Sequence, residues 1–515
     1  MAGSLQAIAR SHYPRLIVSA AFALCAACSG SNQPGSAIPI SPAARNIHRA
    51  SQAGVVVNPS QVGAQVSSAV LGADMEDWFD ITQPNLAASF IKAGMTVTRW
   101  PGGKGADRYH WKTNQNGPGI CAGTEQPSPN STFDHFMQDV AIPAHLDVSI
   151  TVNYGSNPKC TAGDKSDEAA DWVKYANVTK GYNVTWWTVG NEQYVDGSLD
   201  LRSSPHDPTQ YAQVMSQNYY KQMKAASPLV PINVCIDASI RTASWNSVVF
   251  SQAPFDCIEL HYYPQKGTSV NDTFLLTNGV AGITSSIKTV ESELVAAGRG
   301  GTPIFVGEIG SALPPGDKQE MSITQALYAG QIIGEMLNDG VVRATWHSGF
   351  GGCDTPAAGG DFSPSLYGWQ DFGGTMIFSV GTVAHHCSTK NVPLGTLMPT
   401  ADAFEVASHF VRNGEHMLGV SVVGMKNVRA YATTYNGGYA LMLFNLSEKS
   451  SVNVPVTIDG KTSGTGGPFW KYDKKLYDAS KYNRWKGPGS GTLPSWQNSF
   501  TIKLRPWSMT VVQTQ

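Results

Sequence analysis

Charge is scarce in this chain. Only 14% of its 515 residues are Asp, Glu, Lys or Arg, the two signs nearly cancel to a formal net charge of −2, and no run of Lys or Arg interrupts the body of the sequence. That balance argues against nucleic acid or an acidic membrane surface as the main partner. Long apolar runs are lacking too: the longest near the start, residues 16–27, is too short to cross a bilayer. No G-x-G-x-x-G follows the first strand-like segment, so the signature of a dinucleotide-binding sheet is missing. No Cys or His spacing matches a zinc site, and the adjacent His385 and His386 have neither a helical nor a C-x-x-C context. No metal and no cofactor is therefore expected.

What is present begins with a leader. Arg10, His12 and Arg15 precede the apolar run, the order of an export signal over residues 1–28. Residues 24–30, LCAACSG, also resemble a bacterial lipoprotein box in which Cys28 becomes the lipidated N-terminus, with Cys25 where Leu usually stands. The expectation is an exported protein, secreted or periplasmic, whose membrane contact, if any, runs through a lipid on Cys28. Residues 29–53 are rich in Ser, Pro, Ala and Gly and read as a tether. Of the eight cysteines, two lie in the leader. In an exported chain the others are free to pair. Cys121 with Cys160, and Cys353 with Cys387, sit in loop-like surroundings and are the disulfide candidates, whereas Cys235 and Cys257 lie in apolar strands and read as buried thiols.

Beyond residue 53 apolar strands alternate with amphipathic helices: SSAVLGADMED, then NLAASFIKAG, TVTRWPGG, STFDHFMQDVAIPAH, LDVSITVNYG and so on to VVRATWHSGF. Eight such strands with helices between most of them predict a (β/α)8 TIM barrel over residues 54–412. A loop from 349 to about 397, carrying Tyr367, Trp369 and Phe372 among many glycines, precedes an eighth helix, PTADAFEVASHFV. Such long loops are commonly functional, and this one, clamped by Cys353 and Cys387, could roof a cleft. From 413 to 515 the pattern turns to short alternating segments with Gly-rich turns, predicting a C-terminal antiparallel β-sandwich domain, with the segment 54–63 a candidate to pair with it.

In such a barrel the C-terminal strand ends face one shared pocket. Polar and aromatic residues at those ends are Glu76 and Asp77 on the first strand, Arg99 on the second, Asn153 on the third, and Asn191 and Glu192 on the fourth. His261 and Tyr263 follow on the sixth, Glu308 on the seventh and Trp346 on the eighth. The period of two along a strand puts His261 and Tyr263 on one face and Tyr262 on the other. A single strand-end Glu is more often a surface ion pair than a catalyst. Two, each just after a Gly and on separate strands, suit hydrolysis of a glycosidic bond, which needs one carboxyl to protonate the leaving oxygen and a second carboxylate at the anomeric carbon. With 13 Trp and 19 Tyr the chain also has aromatic surface for sugars, although most of it is expected in cores.

The pair Asn191-Glu192 on a fourth strand with Glu308 on a seventh resembles the clan A retaining glycoside hydrolases. GADMEDW, TRWPGG, WTVGNE and LHYY are similar to the Gly-x-x-x-Glu-Asp, Arg-x-Pro-Gly-Gly, Trp-x-x-Gly-Asn-Glu and His-x-Tyr motifs of glycoside hydrolase family 51, the α-L-arabinofuranosidases, with the glucuronidase and heparanase family as a close relative. The resemblance implies Glu192 as acid/base and Glu308 as nucleophile. It also implies that Asn191 holds a sugar hydroxyl, Tyr263 orients Glu308, Arg99 braces it and Glu76 binds the glycone. The substrate implied is a plant-type polysaccharide or oligosaccharide. A β-glucuronidase, β-xylosidase or β-glucanase of the same clan, a transglycosidase, and a non-catalytic polysaccharide-binding surface protein are the alternatives.

Overall fold

A computed structural model describes residues 53–83, 85–267, 269–313, 318–350, 377–379, 393–480 and 486–515. The export signal, most of the tether, Cys28, Cys353, Cys387 and the loop aromatics Tyr367, Trp369 and Phe372 lie outside the described residues.

After a first strand β1 (Gly54–Gln65), eight parallel strands close into a barrel: β2 (Gly72–Asp74), β3 (Val97–Trp100), β4 (Asp147–Val152), β5 (Trp186–Val189), β6 (Asn233–Asp237), β7 (Cys257–Tyr262), β8 (Ile304–Ile309) and β9 (Arg343–Trp346). They neighbour one another in chain order, and the pairing of Trp346 in β9 with Ala73 in β2 completes the ring. Strands buried on both faces read as near-continuous apolar runs, because helices cover the outside and side chains fill the inside. All six residues of β7, CIELHY, are buried. Its apolar members Ile258, Leu260 and Tyr262 alternate with Glu259 and His261, so one strand serves both the core and the interior.

The helices start and stop where local chemistry dictates. Asp207 caps the helix α1 (Pro208–Val214), accepting from the amides of Thr209 at 2.7 Å and Gln210 at 2.9 Å, with Pro208 in the first turn where its missing N–H costs nothing. One helix was not foreseen. The short segment SWNSVVF, between two apolar strands, forms α2 (Ala243–Gln252), burying Trp245, Asn246, Val249 and Phe250. Its β-branched and Ser residues are poor helix formers, and packing of that face overrides them. Farther on, α3 (Ile323–Asn338) is capped by Ser322, and α4 (Pro399–Ser408) is the expected eighth helix.

The C-terminal region is a nine-stranded sheet built from β1 and from β10 (His416–Val423), β11 (Val428–Tyr435), β12 (Gly438–Asn445), β13 (Val452–Ile458), β14 (Pro468–Asp473), β15 (Gly489–Thr492), β16 (Phe500–Leu504) and β17 (Ser508–Thr514). Its order is β15-β14-β17-β12-β11-β10-β1-β13-β16. The expectation of a purely antiparallel sandwich needs one correction. β1 enters between β10 and β13, antiparallel to the first and parallel to the second, so the sheet is mixed. It curls until β16 touches β12 and β17, enclosing a core of Val57, Leu441, Val456 and Leu504. Its other face meets α3, where Tyr431 donates to Oε1 of Glu335 at 2.7 Å. Gly334 permits this approach: a Cβ there would lie 2.7 Å from the Tyr431 ring.

Two disulfides are present among the described residues. Cys121 joins Cys160, and Cys235 joins Cys257. The second corrects the reading of those two residues as free buried thiols. They are register partners on β6 and β7 with Cα atoms 4.5 Å apart, a proximity only the sheet pairing creates.

Candidate active site

Arg99, at the end of β3, is wholly buried and holds the interior of the barrel together. Its Nε forms an ion pair with Oε1 of Glu259 at 2.8 Å, and its Nη1 lies 3.0 Å from Oδ2 of Asp74 and 3.3 Å from Oε1 of Glu308. Its Nη2 donates to Oδ1 of Asn191 at 2.7 Å. One guanidinium therefore links four strands and a turn: β2, its own β3, β7 and β8, and the turn after β5. A fork of fixed N–H directions suits this better than a flexible ammonium.

His261 stands between the two glutamates. Its Nδ1 lies 3.1 Å from Oε1 of Glu192 and 3.5 Å from Oε2 of Glu308, while its Nε2 lies 3.2 Å from Oε1 of Glu259. Tyr263 donates its hydroxyl to Oε2 of Glu308 at 2.7 Å, and Tyr262 turns away to bond the carbonyl of Gly279 at 2.6 Å. A carboxylate oxygen of Glu192 and one of Glu308 fall within 4.8 Å of each other. A retaining pair of glycosidase carboxyls is separated by about 5–5.5 Å. Glu192 also has φ of +52°, a left-handed conformation uncommon outside glycine and concentrated at functional positions. The turn is anchored by Asp107, whose Oδ2 accepts from the amide of Asn191 at 3.0 Å, and by Asp237, which accepts from the amide of Gln193 at 2.9 Å.

The electrostatics separate the acids. Burial alone would raise the Glu308 carboxyl, but the charges of His261, His347 and Arg99 and the Tyr263 hydroxyl outweigh it and hold the group at about 2. Burial opposes the charge on His261, yet Glu308, Glu192 and Glu259 raise it well above its ordinary value. His347 goes up to about 10 against burial, pulled by Glu308, Asp74 and Glu76. Glu259 is lowered despite burial by Arg99 and His261. Burial, then the neighbouring Glu76, push Asp77 up to about 7, and burial likewise raises Glu76.

Most of the expected residues converge. Glu76, Asp77, Asn191, Glu192 and Glu308 line one cleft of about 670 Å³, with Arg99, His261 and Tyr263 directly behind the glutamates. Two residues do not join them. Trp346 packs outward against Tyr328 and Phe404, so it belongs to the core between β9 and the helices; the next residue, His347, takes the place in the cleft. Asn153 donates to the carbonyl of Tyr109 at 3.2 Å and accepts from the amide of Ser156 at 3.1 Å, bracing a loop behind the pocket.

Several participants escaped the sequence reading. Asp74 accepts from Arg99 and lies 2.9 Å from Nδ1 of His347, whose Nε2 is 3.4 Å from Oε1 of Glu76. Trp78 donates to Oε2 of Glu76. Glu259 precedes His261 by two residues, on the same strand face, and that period was a usable signal. Lys104 and Arg108, on and just after the turn Lys104–Asp107, reach the cleft from a loop that no periodicity marks.

This barrel and sheet superpose on known enzymes. The α-L-arabinofuranosidase of Thermotoga maritima matches with a TM-score of 0.63 at 17% identity, over 90% of this chain and 99% of that one. The family 51 arabinofuranosidase of Xanthomonas axonopodis pv. citri matches with a TM-score of 0.66 at 16% identity, over 90% and 100%. The chain shares their fold. A glycoside hydrolase family 44 xyloglucanase of Paenibacillus polymyxa also matches, with a TM-score of 0.61 at 10% identity over 90% and 99%. No family model and no curated protein matches the sequence.

Proposed function

We propose that this chain is a retaining glycoside hydrolase, with Glu308 as nucleophile and Glu192 as acid/base, acting on α-L-arabinofuranosides of plant-type polysaccharides or oligosaccharides. The observation that carries the reading is the pair itself: carboxylate oxygens within 4.8 Å, with His261 touching both and Glu308 held ionised. In the first step an oxygen of Glu308 attacks the anomeric carbon, the bond to the leaving oxygen breaks, and Glu192 gives that oxygen its proton. In the second, water attacks the same carbon, passes a proton to Glu192 and releases Glu308, so the configuration is retained. Arg99 and Tyr263 fix the two oxygens of Glu308, and Asn191, held by Arg99, offers its amide to a sugar hydroxyl. Glu76 and Asp77 supply further hydroxyl contacts at the cleft wall. A neutral pentose suits a cleft in which acids outnumber bases, and the arabinofuranosidases that share the fold support that choice.

One observation favours a second reading. Lys104 and Arg108 line the cleft and form no ion pair among the described residues, so a uronide carboxylate would find partners there. Aryl α-L-arabinofuranoside, β-D-xyloside, β-D-glucuronide and β-D-glucoside separate the sugars, and turnover of the glucuronide alone would replace the first choice. The catalytic assignment is tested with Glu308→Ala, an activated aryl arabinofuranoside and added azide. The inverted glycosyl azide is expected; undiminished hydrolysis in Glu192→Ala and Glu308→Ala would sink the assignment.

A further inference from the structure

Behind the cleft, His110, Asp164 and Glu168 bring three ligand-type atoms within 4.8 Å of one another. His110 ends the short strand Tyr109–His110, Asp164 sits in the loop after β4, and Glu168 stands in the first turn of the helix Ser166–Lys174. Nδ1 of His110 lies 2.8 Å from Oε2 of Glu168. His110 is 3% exposed and Asp164 4%. Within this enclosed group, Oδ2 of Asp164 has no hydrogen-bond partner. A buried carboxylate oxygen left unpaired is costly, so it calls for an explanation.

The nearest guanidinium does not supply it. Arg202 spends its Nη2 on the backbone carbonyls of Tyr154 at 3.1 Å and Asp164 at 2.8 Å, and its plane covers the Tyr154 ring at 3.9 Å. It forms no ion pair with the Asp164 carboxylate among the described residues.

We propose that His110, Asp164 and Glu168 bind a divalent ion of the zinc type. An imidazole nitrogen with two carboxylate oxygens suits zinc, while calcium and magnesium prefer all-oxygen shells. Three protein ligands leave a fourth tetrahedral position for water, which can approach from the side of the half-buried Glu168. The ion replaces the proton shared between His110 and Glu168, and that proton leaves to solvent. No local motif announces the site, because His110 and Glu168 are 58 residues apart.

The location gives the ion a role. The Cys121–Cys160 disulfide already ties the loop after β3 to the loop after β4, and the triad ties the same two loops a second time. Three residues before His110, Asp107 holds the amide of Asn191 beside Glu192. The clamp thus steadies the loop that positions the catalytic turn.

The whole chain, stripped with a chelator and dialysed against zinc, is assayed for bound metal and for its thermal midpoint. One zinc per chain and a raised midpoint are expected, both lost in Asp164→Asn and His110→Gln and both kept in Glu308→Gln. Equal uptake by Asp164→Asn and the unaltered chain, loss in Glu308→Gln alone, or no uptake at all overturns the proposal. Where a triad variant does not fold, cobalt in the unaltered chain decides. Visible bands of four-coordinate cobalt that persist in Glu308→Gln support the site, and their absence refutes it.

Discussion

The hydroxyl of Tyr263 donates to Oε2 of Glu308 at 2.7 Å, while Arg99 approaches the other oxygen, Oε1, at 3.3 Å. Each oxygen of the proposed nucleophile thus has its own donor, and the carboxylate cannot rotate without losing one. A hydrogen bond to a charged group contributes about 1.5–3 kcal/mol. Tyr263→Phe is therefore expected to lower kcat about 10- to 100-fold on an aryl arabinofuranoside, with KM nearly unchanged. An unchanged kcat would show that the bond merely ties strand ends together.

Glu259 is a positioning residue of the same interior. It is 1% exposed, pairs with Nε of Arg99 and Nε2 of His261, and accepts from the hydroxyl of Thr188. Removing one member of a buried charge group costs about 3–5 kcal/mol, because the remaining charges are left uncompensated. Glu259→Gln should lose that much in a urea titration. It should also lose activity, since both Arg99 and His261 rest on it. Retained stability would mean that the group relaxes around the amide.

The Cys235–Cys257 bond closes a loop of 22 residues between neighbouring barrel strands. The chain-entropy argument assigns such a loop about 3 kcal/mol. Replacing both cysteines by Ala should lower stability by about that amount and leave kcat near its original value, because neither residue lines the cleft. A large drop in kcat with intact stability would contradict this separation of roles.

The barrel was legible because strand–helix alternation is a repeated signal, and the glutamates because each ends an apolar run just after a glycine. What was missed depended on phase, register or loops. At the end of β9 the strand pattern points to Trp346 as the inward residue, one position too early; the chain turns His347 inward and gives the tryptophan to Tyr328 and Phe404. Glu259 was hidden inside an apolar strand, although stepping back two residues from His261 finds it. Gly307 reports on it too, since a Cβ there would stand 1.9 Å from Oε1 of Glu259. Asp107 and Arg108 come from a loop without periodicity, and the Cys235–Cys257 pairing exists only once β6 and β7 are in register.

His347 makes the last prediction, one of pH. Glu308, Asp74 and Glu76 raise it from an ordinary 6.5 to about 10 in the folded chain. Below 6.5 both folded and unfolded chains carry the proton, and the contribution of these ion pairs to stability is fully present. Above 6.5 only the folded chain keeps it, so that contribution shrinks as pH rises and is gone once the folded group itself titrates at about 10. His347→Gln lacks the charge at every pH. The thermal midpoint of the unaltered chain should therefore exceed that of His347→Gln most below pH 6.5, and the gap should close toward pH 10. Other titrating groups largely cancel in this difference. A gap that stays constant across the interval would show that His347 is neutral in the folded protein, and that His261, Arg99 and the Tyr263 hydroxyl hold Glu308 low without it.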